Sequence, residues 1–179
     1  MSKDTVTLYK WFWPDQDEAQ EQWLRARASE GLHLTKPAYI CGWSFKKGEP
    51  ADVAYRLDYR NSCPQPYRNL CEEAGWELVG EAFGWHYWRK TVANGKAEEI
   101  FTDNASKIEK YWRLMAVLAL GVLPLTITML TAGPKSFLGS VLSPTAFIFI
   151  TIVAVVYPVI GYAMLRLFKR IRDLGQVPD

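Results

Sequence analysis

Between Leu114 and Leu165 the only charged residue is Lys135, and no other feature of the 179-residue chain constrains its fold so tightly. Within that stretch, Leu114 to Ala132 is nineteen uncharged residues and Thr145 to Leu165 is twenty-one. A hydrocarbon core about 30 Å thick needs about 20 residues of helix at ~1.5 Å each, so each run is long enough to span. A buried helix of a globular core rarely goes that far without a charge, and one central charge costs about 2.5 to 3.5 kcal/mol in a membrane. The runs therefore predict transmembrane helices over 114–132 and 145–165, joined by a short extracytoplasmic loop, 133–144. Pro124 and Pro158 interrupt them, which a bilayer helix tolerates where a neighbour re-satisfies the freed carbonyl. Lys107, Lys110, Tyr111, Trp112 and Arg113 precede the first run, and Arg166, Lys169 and Arg170 follow the second; these are the expected membrane-interface residues. The positive-inside bias then puts both termini in the cytoplasm, in a multi-pass protein of the cytoplasmic (inner) membrane.

The remainder has a different composition. Residues 1–113 hold 16 basic and 17 acidic side chains, all eight tryptophans and all three cysteines. Cys41, Cys63 and Cys71 are odd in number and lack a CxxC spacing, so neither a disulfide framework nor a zinc site is signalled. The opening "MSKDTVTLYK" lacks the apolar stretch of a signal peptide.

Residues 1–94 read as a cytosolic domain, 95–113 as a connector and juxtamembrane helix, and 166–179 as a basic cytoplasmic tail. Thr5 to Trp13 alternates like a strand until Pro14, and Asp15 stands three residues before Glu18 in a capping-box-like helix start. Trp23, Leu24 and Ala26 supply an apolar stripe, and Gly31 a left-handed stop. Ala38 to Phe45 and Val53 to Arg60 alternate and read as a hairpin over a core. Pro66 suits the first turn of a second helix, with Tyr67, Leu70, Cys71 and Ala74 on one stripe and Gly75 as its stop. "SEGLHL" at 29 and "EAGWEL" at 73 echo each other forty-four positions apart. Two βαβ units joined through the central hairpin give an α+β, ferredoxin-like (split βαβ) domain followed by the two-helix transmembrane hairpin. Its large aromatics, three tryptophans among them in Gly75 to Lys90, fill a small core efficiently.

At "AYICGWSFKKGEPADVAYRLDYR", "CEEAGWELVGEAFGWHYWRK" and "EEIFTDNASKIEKYWR" the chain resembles the bacterial family known as domain of unknown function 2812, over about the first 113 residues. Its membrane tail is similar to what many members carry. The resemblance implies no activity. It does imply a functional link to a PadR-like regulator, and a regulatory or accessory role ahead of metabolism.

If Tyr55, Leu57 and Tyr59 face the helices, Arg56, Asp58 and Arg60 face the other side of the sheet. With Trp11 and Trp88 they form the candidate surface for a ligand or protein partner, guanidinium groups beside aromatic faces being suited to an anion, a carboxylate or a peptide strand. A solvated, salt-bridged surface is the alternative. Near-neutral charge excludes nucleic acid as a partner, because such binding rests on neutralising phosphates. His33 and His86 are the only histidines, and no spacing ties either to a cysteine or carboxylate, so no catalytic, metal or cofactor residue is expected. The sequence thus predicts a non-enzymatic, regulatory or signalling integral membrane protein, with the bilayer and a protein partner or a second copy as its contacts. An accessory subunit of a membrane transport or stress-response complex is the alternative.

Overall fold

The structure, a computed structural model, describes residues 4–37, 41–92, 104–140 and 144–176; side chains at 104–105, 125, 128–140 and 144–152 fall outside the description. The elements run β1 (Thr5–Tyr9), α1 (Asp17–Ser29), β2 (Leu32–Lys36), β3 (Gly42–Lys47), β4 (Val53–Tyr59), α2 (Gln65–Glu73), β5 (Glu77–Ala82), β6 (Trp85–Thr91), α3 (Asn104–Ser140) and α4 (Pro144–Gly175). They divide into two compact units, Met1–Lys110 and Tyr111–Pro178.

The first unit is not ferredoxin-like. It holds two antiparallel three-stranded sheets, ordered β1-β3-β2 and β4-β6-β5. The expected hairpin of Ala38–Phe45 with Val53–Arg60 does not form: β3 gives one edge to β1 and the other to β2, so β4 pairs with β6 instead. Residues 38–40 of that expected strand lie outside the description. The same βαββ path is therefore traced twice, the first strand of each half pairing with its third and the third with its second.

The repeat extends to backbone detail. Gly31 and Gly75, at φ +80° and +83°, end the two helices, and each N–H is donated to a last-turn carbonyl, of Ala28 and Glu72. At α2 a further bond from Trp76 N–H to Cys71 C=O completes a Schellman cap. In each half the following strand slips register once, between Leu34 and Lys36 and between Leu78 and Gly80, again forty-four positions apart. β2 and β5 abut, so closely that a side-chain carbon at Gly80 would lie 3.0 Å from Pro37 Cδ.

Burial breaks the symmetry. α1 packs against β2 and β4, and Leu24 and Ala28 share one core with Leu34, Trp43 and Phe45 of the first half and Val53, Tyr55, Leu57, Ala82 and Tyr87 of the second. A second, smaller core of Ala54, Cys71, Trp76 and Trp88 lies on the other face of β4-β6-β5, beneath α2. Of β4, only Arg56 is not fully buried. Both alternating sets of β6 are interior: Tyr87 with the first core, His86 and Trp88 on the α2 side. The sheet β1-β3-β2, by contrast, turns Thr5, Thr7, Tyr9 and Lys46 outward.

Among the described residues no helix is long and apolar enough to cross a membrane. This overturns the transmembrane hairpin, the multi-pass inner-membrane location and the integral-membrane function that rested on them, together with the membrane-tail reading of the family resemblance. The described side chains of α3 include Lys107, Glu109, Lys110 and Arg113 in its first turns, and those of α4 include Arg166, Lys169, Arg170, Arg172 and Asp173 in its last turns, which shortens the described apolar stretch of each helix. Residues 125 and 128–132 of the first uncharged run and 145–152 of the second lie outside the described side chains. The expected loop over 133–144 is helical as far as Ser140, and 141–143 lie outside the description. In this second unit, Thr126 Oγ1 and Tyr157 Oη are 2.9 Å apart, while Leu120, Leu123 and Ile127 of α3 and Val155, Val159 and Leu165 of α4 are exposed.

Candidate functional site: an aromatic cavity over a polar floor

The turn from β1 into α1, "WFWPD", places three rings within six positions of Asp17. Asp15 does not cap the helix. The N-cap is Gln16, whose Oε1 accepts the Trp13 N–H at 2.9 Å, while Trp13 C=O accepts the Gln16 N–H. This closed turn aims the aromatic run across the ends of both sheets. A cavity of about 150 Å³ results, walled by Trp11, Phe12, Trp13, Trp43, Phe83 and Trp85 and floored by Asp17, Gln20 and Tyr87.

The walls are held edge to face. Phe12 meets Trp43 at 6.0 Å between centroids, Trp43 meets Tyr87 at 5.9 Å, and Trp11 meets Trp13 at 6.0 Å, all near perpendicular. Each such pair is worth about 0.5–1.5 kcal/mol beyond its buried area. The Trp43 indole N–H is donated to Lys10 C=O at 2.8 Å, so this ring carries no unmet polar group into the wall. Trp11 and Phe83 remain exposed at the rim, 54% and 70%. Phe83 has φ +50° and Gly84 φ +82°, the signs a two-residue type I′ hairpin requires. Glycine or asparagine is at ease there; a phenylalanine costs about 1–3 kcal/mol of backbone strain. That strain positions an aromatic ring at the cavity mouth.

The floor is polar and buried. Gln20 Nε2 donates to Tyr87 Oη at 3.0 Å, and burial pushes the Tyr87 phenol up to about 12, so it stays protonated and keeps its own O–H to give. Asp17, 4% exposed, pairs with Lys110 Nζ, itself 5% exposed and 5.9 Å from the Trp85 ring. The floor is thus charge-balanced.

Behind it Lys110, together with Glu21 and Arg56, seals the outer edge of β4. Glu21 Oε1 accepts the Leu57 N–H at 2.8 Å, Lys110 Nζ lies 3.5 Å from Leu57 C=O, and Arg56 Nη1 is 3.3 Å from Glu21 Oε2. An unpaired strand edge invites a second strand, and these side chains occupy it. Burial pushes the Glu21 carboxyl up to about 8, against the lowering pull of the Leu57 N–H, Arg56 and Lys110.

Of the five residues expected on an open sheet face, Arg56 and Trp88 are cross-strand neighbours and Asp58 and Arg60 pair with each other, but the five do not form one exposed surface. Arg56 reaches the β4 edge and α1, Trp11 stands at the cavity rim, and Trp88 is wholly buried under α2. Asp58, 1% exposed, accepts from Arg60 Nε at 2.5 Å and from Tyr67 Oη at 2.9 Å, and the Arg60 guanidinium lies 3.9 Å from the Tyr67 ring. That face is covered by α2, the second βαββ half having both sides of its sheet buried. Of the expected membrane-interface residues, Lys110 is drawn inward to Asp17, Tyr111 is buried, Trp112 is half exposed, and Lys107 and Arg113 are partly buried. On α4, Arg166 lies 5.8 Å from the Tyr162 ring, Lys169 is exposed and Arg170 is partly buried.

Sequence reasoning missed Asp17, Gln20, Trp13 and Tyr87 as site residues, though a signal was present. Asp17, Gln20, Leu24 and Ala28 are the buried residues of α1, spaced i, i+3, i+7 and i+11 on one face. Two polar residues on a buried stripe mark a site; Ala26, expected on that stripe, is exposed.

Fold and site together define a class: a duplicated βαββ module with an aromatic-walled, polar-floored cavity at the junction of its halves. The chain belongs to the family described as "Protein of unknown function (DUF2812)", whose sequence profile matches residues 16–123, from the start of α1 into α3. No curated protein and no solved structure matches the chain.

Proposed function

We propose that the Met1–Lys110 unit is a binding module, not an enzyme, for a compact, uncharged, single-ring ligand that carries a hydrogen-bond donor. The observation that carries this reading is the meeting of the aromatic walls with Gln20, Tyr87 and a charge-balanced Asp17 in one cavity. Size supports a single ring, since a volume of about 150 Å³ accommodates a benzene-sized molecule. Because Lys110 already neutralises Asp17, an ion would gain little, whereas Gln20 Oε1 and the Asp17 carboxylate offer acceptors to a phenol or ring N–H. The 16 basic against 17 acidic residues of 1–113 give nucleic acid no surface of matching charge.

Titration of the full chain with phenol, benzene and benzoate, followed by saturation-transfer NMR and tryptophan fluorescence, tests the reading. Phenol is expected to bind in about the millimolar range, as seven heavy atoms allow, more tightly than benzene, with benzoate weakest. Trp11→Ala and Gln20→Leu should each weaken phenol at least about fivefold. Equal binding of all three, or phenol binding untouched in both variants, refutes the proposal.

A further inference from the structure

On the opposite face of β5 and β6 from the aromatic cavity, Glu81 and His86 are direct cross-strand neighbours. His86 is 2% exposed, and neither ring nitrogen has a hydrogen-bond partner; its Nε2 lies 3.5 Å from Glu81 Oε1, too far for an ordinary hydrogen bond. A buried imidazole with both nitrogens unmet is a costly arrangement unless something else engages it. The loop between β4 and α2 supplies Cys63, whose sulfur, the Glu81 carboxylate and a His86 nitrogen all lie within 4.8 Å of one another. Across the β4–β6 ladder, His86 faces Asp58, whose buried Oδ1 also lacks a partner.

We propose that Cys63, Glu81 and His86 bind a divalent transition-metal ion of the zinc type. Bonds of about 2.0–2.1 Å to imidazole nitrogen, 2.0–2.2 Å to carboxylate oxygen and 2.3 Å to thiolate place neighbouring ligand atoms roughly 3.3–3.8 Å apart around a tetrahedral ion. The His86–Glu81 pair already stands at that separation, and the half-buried Cys63 closes the set by a side-chain rotation of about 1 Å. Sulfur, nitrogen and one carboxylate oxygen select zinc or cobalt over magnesium or calcium, which take oxygen. Binding displaces Arg68, whose Nη2 lies 3.5 Å from Glu81 Oε1. Asp58 is placed to orient His86, the carboxylate–imidazole support common behind metal ligands.

Cobalt(II) added to the full-length, reduced chain provides the test, with isothermal calorimetry for stoichiometry and absorption spectroscopy for the ligands. One ion should bind per chain, with a thiolate-to-cobalt charge-transfer band in the near ultraviolet and tetrahedral visible bands, all reversed by zinc. Cys63→Ser should abolish the charge-transfer band and weaken binding at least about tenfold, and Glu81→Gln should weaken it comparably; both side chains are accessible enough to replace without unfolding the core. Cys41→Ser is the control and should leave the band intact. No cobalt binding at equimolar to tenfold excess, octahedral spectra without the thiolate band, or a band that survives Cys63→Ser would overturn the proposal.

Discussion

Glu21 shows how one side chain can be placed against its own chemistry. Its carboxyl serves the Leu57 N–H and Arg56 at the β4 edge, yet burial holds it up to about 8, against an ordinary value of 4.5. Between those values the folded chain keeps a proton that the unfolded chain releases. Stability contributed by this group is therefore greatest below pH 4.5 and is lost as pH rises towards 8, by at most about 1.4 kcal/mol per pH unit. Denaturant titrations at several pH values should show this fall, and Glu21→Gln, which keeps an acceptor for Leu57, should flatten it. An unchanged slope in the variant would assign the pH dependence elsewhere. Lys110 is the complementary case. Removing it as Lys110→Met takes the charge partner from buried Asp17, at a cost of about 3–5 kcal/mol, and Asp17→Asn on that background should recover part of the loss.

At the scale of elements, the sequence made helices and most strands legible but not their partners. Proline and glycine punctuation located α1 and α2, and alternation placed Tyr55, Leu57 and Tyr59 on one buried face. The forty-four-residue echo was also legible, because a helix stopping on glycine is written locally. Strand pairing is not: nothing in "AYICGWSF" states that both its edges are taken, and so the hairpin with β4 was expected. Leu70 belonged to the apolar stripe by spacing yet is 63% exposed, since α2 meets only a narrow strip of sheet around Cys71. The uncharged runs of α3 and α4 misled in the other direction, length and lack of charge having been read as a bilayer signature. The two helix-ending glycines separate cleanly in prediction. At Gly31 an added carbon meets the Gly48 carbonyl oxygen at 2.5 Å, whereas at Gly75 it meets only the flexible Lys90 side chain, at 3.3 Å. Gly75→Ala should cost about 1–2 kcal/mol from its positive φ alone, and Gly31→Ala clearly more, read by chemical denaturation. Equal costs would contradict the close approach.

For the Met1–Lys110 unit as a whole, the larger core is shared by the two βαββ halves. Leu24 and Ala28 of the first half are buried against Val53, Tyr55 and Leu57 of the second. Leu24→Ala should cost about 2–5 kcal/mol, and near-ultraviolet dichroism and fluorescence should report one unfolding transition. Two transitions, with the half containing Trp88 surviving, would show the halves to be independent. The candidate site was the least legible part for the same reason: its walls come from both halves, and only the folded unit brings Trp43 to Trp85 and Tyr87. The unequal covering of the two sheets also has a practical consequence. A dye, spin label or affinity handle placed at Thr7 or Lys46, on the outward side of β1 and β3, rides on the module without entering either core; β4 offers no comparable foothold.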